Sequence, residues 1–526
     1  MKNRNIVRTT LLLALACVGL SSPRAFGVVP APDGGYAGGN TAEGDGALAG
    51  LTDGFYNSAV GFLSLLSNGS ASFNTGVGAG TLLLNTAAEN TATGAGALLS
   101  NTTGPNNTAN GAFALFSNTE GDSNTAIGDR TLFQNTTGDN NTAVGTEALE
   151  SNETGDSNTA IGRAALANNT TGDSNVAVGQ AALDQNTAGN TNTAIGFGAL
   201  NANQADSNTA NGALALFLNT TGEFNTALGA ATLLSNTEGE SNTATGFNAL
   251  FSNTTGDDNT AIGESALSSN TTGSFNTASG SGALSSNTSG GGNTANGVVA
   301  LENNTTGTGN TAIGEQALRN NSSGSANTAL GFSAGSNVTT ASNVICIGAH
   351  GANVDDSCFI LNIYSNVQPV VGTDPDLVSV NSDGRLGRAN VSSRRYKHDI
   401  KPMDKGSEAI FKLRPVSFRY NKEYDATQTL AFGLIAEEVA EVYPDLVGRN
   451  SKREPESVRY EQINAMLLNE FLKEHRKVQE QEETIVQIKK GMEALTAHIK
   501  EQDSKIRKVS DKVEMQRATT QVATRQ

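Results

Sequence analysis

Asn124-Thr-Ala-Ile-Gly128, Asn141-Thr-Ala-Val-Gly145 and Asn158-Thr-Ala-Ile-Gly162 follow one another at intervals of 17 residues. Read outward from there, the same phrase opens a unit at 18 positions, from Asn40 to Asn327. Fifteen of the 17 spacings are 17 residues and two are 16. A degenerate nineteenth unit, Asn343-Val-Ile-Cys-Ile-Gly348, closes the run. Self-similarity at a short fixed period is the mark of a solenoid, in which each unit is one coil and gains a core only by stacking on its neighbours.

The units can be compared with each other. Gly follows the opening Asn by four residues in all 18 units. Ala follows it by two in 17, with Gly76 the exception, and Leu by eight in 17, with Gly335 the exception. These offsets are even, so the three share one face of an extended chain. A second Asn recurs at the eleventh offset from Asn68 to Asn321, usually within Asn-Thr-Thr-Gly. So short a unit has room for two brief strands and two tight turns, with Asn and Gly of the Asn-Thr-Thr-Gly stretch supplying residues that tolerate φ > 0. Small Ala and Gly let coils approach, Leu fills the interior, and stacked units align identical Asn side chains into ladders. The residue before the recurrent Gly is Ile, Val or Leu in 11 units and polar in seven, including Asn110, Asn211 and Asn296. A sealed core does not accept Asn so freely. This position is expected on a surface that meets a neighbouring chain in some layers and water in others.

Composition agrees. Among 526 residues there are 59 glycines, no tryptophan and 5% aromatics, which excludes a conventional core of large side chains over most of the chain. Residues 391–526 hold 25 Lys+Arg against 22 Asp+Glu, and the remainder holds 9 against 29. Neither part carries the basic stripe of a nucleic-acid binder, and no nucleic-acid partner is expected. At the N-terminus Lys2, Arg4 and Arg8 precede the apolar run Leu11–Leu20, which reads as a signal peptide over 1–27, cleaved after Ala25-Phe26-Gly27. A lipoprotein signal at Cys17 is the alternative, and Ala14-Leu15-Ala16 fits it poorly. No later segment is apolar enough to cross a bilayer, so the mature chain is expected without a transmembrane segment, secreted or at the cell surface. Cys346 and Cys358 are expected either as a disulfide or as two buried free thiols.

Neither a cofactor nor a metal is expected. Asp122, Asp139, Asp156 and Asp173 lack the dense regular pattern of calcium-binding repeats and read as turn residues, as do the many Asn-x-Thr triplets. His350, His398, His475 and His498 lack metal-ligand spacing. The solenoid carries no paired carboxylates set against the fixed repeat, which disfavours glycosidase action.

After Gly348 the texture changes. Cys358-Phe-Ile-Leu-Asn-Ile-Tyr364 reads as a strand, Val370-Val371 as the start of another, and Asn381-Ser-Asp-Gly384 as a turn, giving a β-rich neck over 351–391. A globular pattern follows, with Phe411, Leu413, Pro415, Val416 and Phe418 apolar. Gly433-Leu-Ile-Ala-Glu-Glu-Val439 reads as a strand running into a helix, and Val458-Arg-Tyr460 leads into a long one. Val478, Ile485, Met492, Ile499, Ile506 and Val513 then recur every seven residues, with Ile488, Leu495 and Val509 on a second seam that Gln481 and Gln502 interrupt. That is a coiled coil over 476–516, with seams that permit trimers, and a disordered tail over 517–526. The fold class is therefore mainly β: a repetitive parallel β-roll or β-solenoid stalk over 38–350, a small α+β domain over 392–475, and a C-terminal α-helical coiled coil.

Two resemblances enter on these residues. Asn-Thr-Ala-Ile-Gly with Ala-Leu following resembles the head repeats of YadA-type trimeric autotransporter adhesins, left-handed parallel β-rolls packed three to a bundle. The match covers roughly 38–350, at a longer period than usual, and the C-terminus lacks the alternating strands of an autotransporter anchor. The stretch Ser392-Ser-Arg-Arg-Tyr-Lys-His-Asp-Ile400 resembles the entry motif of the endosialidase-type intramolecular chaperone, a self-cleaving peptidase family of phage tail spikes and fibres. Ser392, Arg395, Lys397, Asp399 and Ile400 are in register with it. The later Phe-Arg-Tyr, Phe-Gly-Leu-Ile-Ala-Glu-Glu-Val and Val-Arg-Tyr phrases appear in order, so this resemblance covers about 392–490. Ser393 departs from the usual Asp, and Tyr396 from Leu. The resemblance implies a Ser–Lys dyad acting only on its own chain: Ser392 attacks the carbonyl of Val391, and Lys397 takes the serine proton. For this Lys397 must be partly neutral near pH 7, lowered by burial or by Arg394 or Arg395 as a neighbouring cation.

The expected protein is an exported homotrimeric fibre, adhesin-like, with a cell-surface, matrix or carbohydrate receptor. Its C-terminal domain assists assembly and releases itself by autoproteolysis. The alternative is a phage or prophage tail-fibre-like protein with an inactive, permanently attached chaperone cap.

Overall fold

The computed structural model describes residues 36–361, 378–380, 386–388, 394, 397–422, 427–450 and 452–523. The expected export segment 1–27, Val370-Val371, the turn at 381–384, and Val391, Ser392, Ser393, Arg395 and Tyr396 lie outside these residues. The chain divides between Val367 and Gln368 into two compact units, each described by itself.

The first unit is the solenoid, and each coil contributes one three-residue strand. The opening strands are β1 (Thr41–Glu43), β2 (Ser58–Val60), β3 (Thr75–Val77), β4 (Thr91–Thr93) and β5 (Thr108–Asn110). Next come β6 (Thr125–Ile127), β7 (Thr142–Val144), β8 (Thr159–Ile161), β9 (Val176–Val178) and β10 (Thr193–Ile195). Then follow β11 (Thr209–Asn211), β12 (Thr226–Leu228), β13 (Thr243–Thr245), β14 (Thr260–Ile262) and β15 (Thr277–Ser279). The last are β16 (Thr294–Asn296), β17 (Thr311–Ile313), β18 (Thr328–Leu330), β19 (Ile345–Ile347) and β20 (Cys358–Ile360). Each pairs in parallel with the next, Ala on Ala except where Gly76, Cys346 and Phe359 hold the central place, so the sheet is a 20-stranded ribbon in sequence order. The alternation is simple: the central Ala points inward and is fully buried, while its neighbours point out.

The expectation of two strands per coil is corrected to one. Left-handed residues break the rest of the coil: in a single unit Glu147 has φ 61°, the buried Leu149 φ 50° and Ser157 φ 59°. Each such residue costs about 1 kcal/mol or more, and burying a Leu returns about 2 kcal/mol. Backbone bonds to the next coil, such as Leu149 N–H to Ala165 O at 2.9 Å, hold the conformation in place. The Asn-Thr-Thr-Gly stretch, expected to house the φ > 0 residues, does not: neither Asn152 nor Gly155 is left-handed.

The two Asn columns lie inside. Asn158 is fully buried: its backbone N–H donates to Asn141 Oδ1 at 2.9 Å and its Nδ2 donates to Gly172 O at 2.8 Å. Its Oδ1 accepts the Asn175 N–H at 2.9 Å. In the second column Asn152 Nδ2 donates to Asn135 Oδ1 at 2.7 Å and to Gly155 O at 2.9 Å. Gly155 must be glycine for a spatial reason, since a Cβ there would meet Gly172 O at 2.5 Å and Asn152 Oδ1 at 2.6 Å. The two 16-residue units lose one residue at this turn, and Ala87 and Ala205 replace Gly as acceptors of the Asn74 and Asn192 carboxamides at 2.9 and 2.8 Å. Among the described residues no buried side-chain N or O lacks a partner.

The ladder has a direction, and its ends show it. Each opening Asn is completed by the coil after it, so the last coil cannot use one. Val344 takes that place, donates its backbone N–H to Asn327 Oδ1 at 2.8 Å and is fully buried. The degenerate unit therefore starts at Val344, one residue later than the sequence expectation of Asn343, and Cys346 enters the Ala column. Val338 likewise replaces the second Asn, as Leu51 does in the first coil. A final short coil brings β20 onto β19 and carries the stack past residue 350. There Asn353 Oδ1 accepts the N–H groups of Thr339, Thr340 and Ala341 at 2.9, 2.8 and 2.8 Å. Cys346 and Cys358 are both free: Cys346 is buried, with its thiol pushed up by burial, and Cys358 is exposed beside Ile345 on the outer face.

Among the described residues the second unit holds three antiparallel strand pairs: β21 (Val378–Val380) with β22 (Leu386–Arg388), β23 (Val416–Phe418) with β24 (Ala431–Gly433), and β25 (Val447–Arg449) with β26 (Pro455–Val458). A 3-10 helix spans Asp404–Lys412, α1 spans Ala436–Val442, and α2 runs unbroken over Tyr460–Ala523. Among the described residues no helix is long and apolar enough to cross a membrane.

Candidate functional site

The motif-bearing phrases of the second unit converge on a small core of Ile410, Val439, Leu446, Val447, Ile463 and Met466. Gly433 and Tyr460, distant in sequence, explain each other. Tyr460 Oη accepts the Leu434 N–H at 2.9 Å, and a Cβ on Gly433 would lie 2.7 Å from that oxygen. Glu438 on α1 takes both bonds of the Arg414 guanidinium, one at 3.1 Å. That bond holds the carboxyl below its ordinary value and lifts the guanidinium. Phe418 meets Tyr420 edge-on with centroids 5.2 Å apart, and Arg419 donates to Gln428 O.

A second cluster anchors the start of α2. Ser407, fully buried, donates to Glu470 Oε1 and accepts from Asn469 Nδ2 at 2.6 Å. Lys473 Nζ donates to the same Glu470 oxygen at 2.7 Å. The Lys473 and Ser407 bonds hold the Glu470 carboxyl below its ordinary value. A serine beside a carboxylate and a lysine has the parts of a nucleophile, but a hydroxyl with no exposed surface that donates to a carboxylate is a latch. Sequence reading missed it because Ser407 and Glu470 are 63 residues apart; the available signal was Asn469 and Glu470 on the same helical face as Ile463 and Met466.

Of the dyad implied by the resemblance, Lys397 alone lies among the described residues. It is exposed, and its backbone N–H donates to Arg394 O at 3.1 Å. His398 and Asp399 next to it form an exposed pair at 3.1 Å. The burial that the resemblance implies for Lys397 is not seen.

The face of α2 opposite the latch is apolar and open. Phe471, 67% exposed, precedes Val478 by seven residues, so the apolar heptad spacing extends one step earlier than the heptads read from sequence. Ile485, Met492, Ile499 and Ile506 continue it, all more than 45% exposed. In the solenoid, Asp122, Asp139, Asp156 and Asp173 form a column, and each of the last three accepts a backbone N–H from the coil before it at 2.7–2.8 Å. The second-column Asn of the Asn-Thr-Thr triplets are fully buried in a ladder. Among the described residues no three His, Cys, Asp or Glu side chains gather as a metal site.

Residues 392–448 match the family model described as chaperone of endosialidase. The match begins at Ser392 and ends within β25, so it covers the entry motif, the Asp404–Lys412 helix, the β23–β24 hairpin and α1. No curated protein and no solved structure gives a match to this chain.

Proposed function

We propose that this chain, with its chaperone-of-endosialidase domain at 392–448, is an exported trimeric fibre whose C-terminal domain assists assembly and then cuts itself free at Val391–Ser392. The observation that carries the reading is the start of the family match: its first residue is the serine that would act, at the head of the motif and just after the β21–β22 pair. The α2 seam associates as a parallel three-stranded coiled coil, covering side chains that a single chain leaves in water. In the cleavage step Ser392 Oγ adds to the Val391 carbonyl carbon and its proton passes to Lys397 Nζ. The C–N bond breaks, the Ser392 nitrogen takes up the proton as an amine, and an ester joins Val391 to Oγ. Water then hydrolyses the ester to a Val391 carboxylate and restores the hydroxyl. Release after assembly makes the fibre kinetically persistent, because the stalk has lost its folding aid.

The test is intact mass. Wild-type chain should yield a fragment beginning at Ser392, while Ser392→Ala and Lys397→Ala should stay whole, since a serine without its base is a weak nucleophile. A second reading, a tail-fibre-like protein with a permanent chaperone cap, is favoured by one observation: Ser393 stands where the family motif carries Asp. It predicts uncut wild-type chain that still trimerises.

A further inference from the structure

The outward residue that closes each strand forms a column along the ribbon, from Glu43 in β1 to Ile360 in β20. Its side chains stand in solvent even where they are apolar: Val60 is 39% exposed, Ile161 42%, Ile262 48% and Leu330 48%. The column is apolar at β2–β3, β6–β10, β12, β14 and β17–β20, and polar between these blocks. The ribbon has 20 strands. At about 4.8 Å per strand and about 10 Å per three residues, its outer face spans about 950 Å², above the ~800 Å² per partner of a stable interface.

We infer that this column is the surface through which copies of this chain associate along the solenoid, parallel and at zero axial offset, with the polar layers setting the register. The inference rests on the assembly reading above and specifies its surface and alignment. The occupant is a second copy because the pattern fits itself. A solenoid of near-identical coils has a register problem: slipping one copy by one coil presents almost the same backbone to its neighbour. The column removes that degeneracy. At zero offset 13 of the 20 layers face apolar to apolar; a slip of one coil leaves eight, and of two leaves seven. The layers at Asn110, Asn211 and Asn296 act in the same sense. A carboxamide carries both donor and acceptor, so Asn facing its own copy satisfies itself. After a one-coil slip, Asn110 faces Ile127 or Thr93, and Asn211 faces Leu228 or Ile195. A buried Asn that pairs with itself is an established way of fixing register between associating chains.

The test is site-directed crosslinking in the full chain carrying Cys17→Ser and Cys358→Ser, with the buried Cys346 left in place. Ile161→Cys and Val144→Cys lie on the column in adjacent coils, and their outward side chains are not needed for the core. Thr137→Cys is an exposed control off the column. Under mild oxidation, Ile161→Cys chains should join into covalent dimers and Thr137→Cys chains should not. When Val144→Cys and a size-tagged Ile161→Cys are co-assembled, like should join like, with mixed product at least ten-fold rarer. Mixed product as abundant as the matched kind would overturn the register. Absence of crosslinks at Ile161→Cys, in particles that still sediment as oligomers, would overturn the surface and leave the assembly reading standing. Monomeric sedimentation would overturn both.

Discussion

The solenoid and the C-terminal unit solve the same problem in opposite ways. In the solenoid, side chains are small, carboxamides are buried by the dozen, and every one is satisfied by the coil before or after it. Among its described residues the C-terminal unit buries six apolar side chains in one core, yet leaves Phe411, Phe432 and Phe471 each more than two-thirds exposed. A small domain with so little enclosed is marginal alone, and exposed apolar area on this scale marks a place where something docks. The stalk's inner core is completed along its own chain; the start of α2 leaves Phe471 uncovered in the single chain. Stability of the first should depend on sequence neighbours, and stability of the second on concentration.

Breaking a mid-ladder Asn should have the largest effect. Asn158→Ala strips the acceptor from the buried Asn175 N–H and takes one of two donors from Gly172 O, which keeps Asn169 Nδ2 at 3.0 Å, a loss of about 3 kcal/mol from one orphaned N–H and the other bonds lost with the carboxamide. Urea unfolding, with hydrogen exchange to locate the damage, should show it centred on the coils at Asn141 and Asn175. Neither midpoint nor exchange should change if the ladders are ornamental.

Next comes a substitution that restores the consensus. Val344→Asn supplies the repeat's own residue where no following coil can complete it, and should cost about 2 kcal/mol as a buried carboxamide left partly unpaired. A neutral or stabilising outcome would mean that the short final coil can serve as a full one.

The C-terminal latch should give the smallest effect, and one that depends on pH. The Glu470 carboxyl lies below its ordinary value of 4.5 when folded, because Lys473 and Ser407 hydrogen-bond to it. A lowered folded value means that its stabilisation is fully present above pH 4.5 and is lost as pH falls through the folded value. Ser407→Ala should therefore weaken the unit at neutral pH and shallow its decline in acid, without abolishing it. Glu438, lowered by Arg414, contributes with the same sign. Equal acid slopes for wild type and Ser407→Ala, followed by circular dichroism of the C-terminal helix, would dismiss the latch.

Much of the stalk could be read from the repeat itself, because identical offsets must occupy equivalent places. Ala126, Ala143 and Ala160 had to face one way, and the seven polar exceptions before Gly had to face water or a neighbour. What the repeat could not reveal was the sign of φ. Glu147 and Leu149 are left-handed because their N–H groups bond to Asp129 O and Ala165 O in the coils on either side, and nothing in the propensity of Leu announces that. The start of the last coil slipped by one residue for a related reason: Asn343 looks like the consensus, but a final coil needs an apolar residue there. In the C-terminal unit the phrases around Gly433 and Tyr460 were visible as motifs. The Ser407–Glu470 contact was not, since it joins two elements whose spacing carries no period.

The one-way Asn ladder makes the stalk's length adjustable. Every interior coil takes from its predecessor and gives to its successor in the same terms, and the special residues Leu51, Val338 and Val344 are confined to the first coil and to the closing turns. Adding or removing an in-frame segment of 51 nucleotides, one whole 17-residue period, in the middle of the gene lengthens or shortens the stalk by about 4.8 Å and leaves both ends chemically untouched. Recombination between repeats can therefore reset the reach of this protein in even steps, as beads are added to a string between fixed clasps.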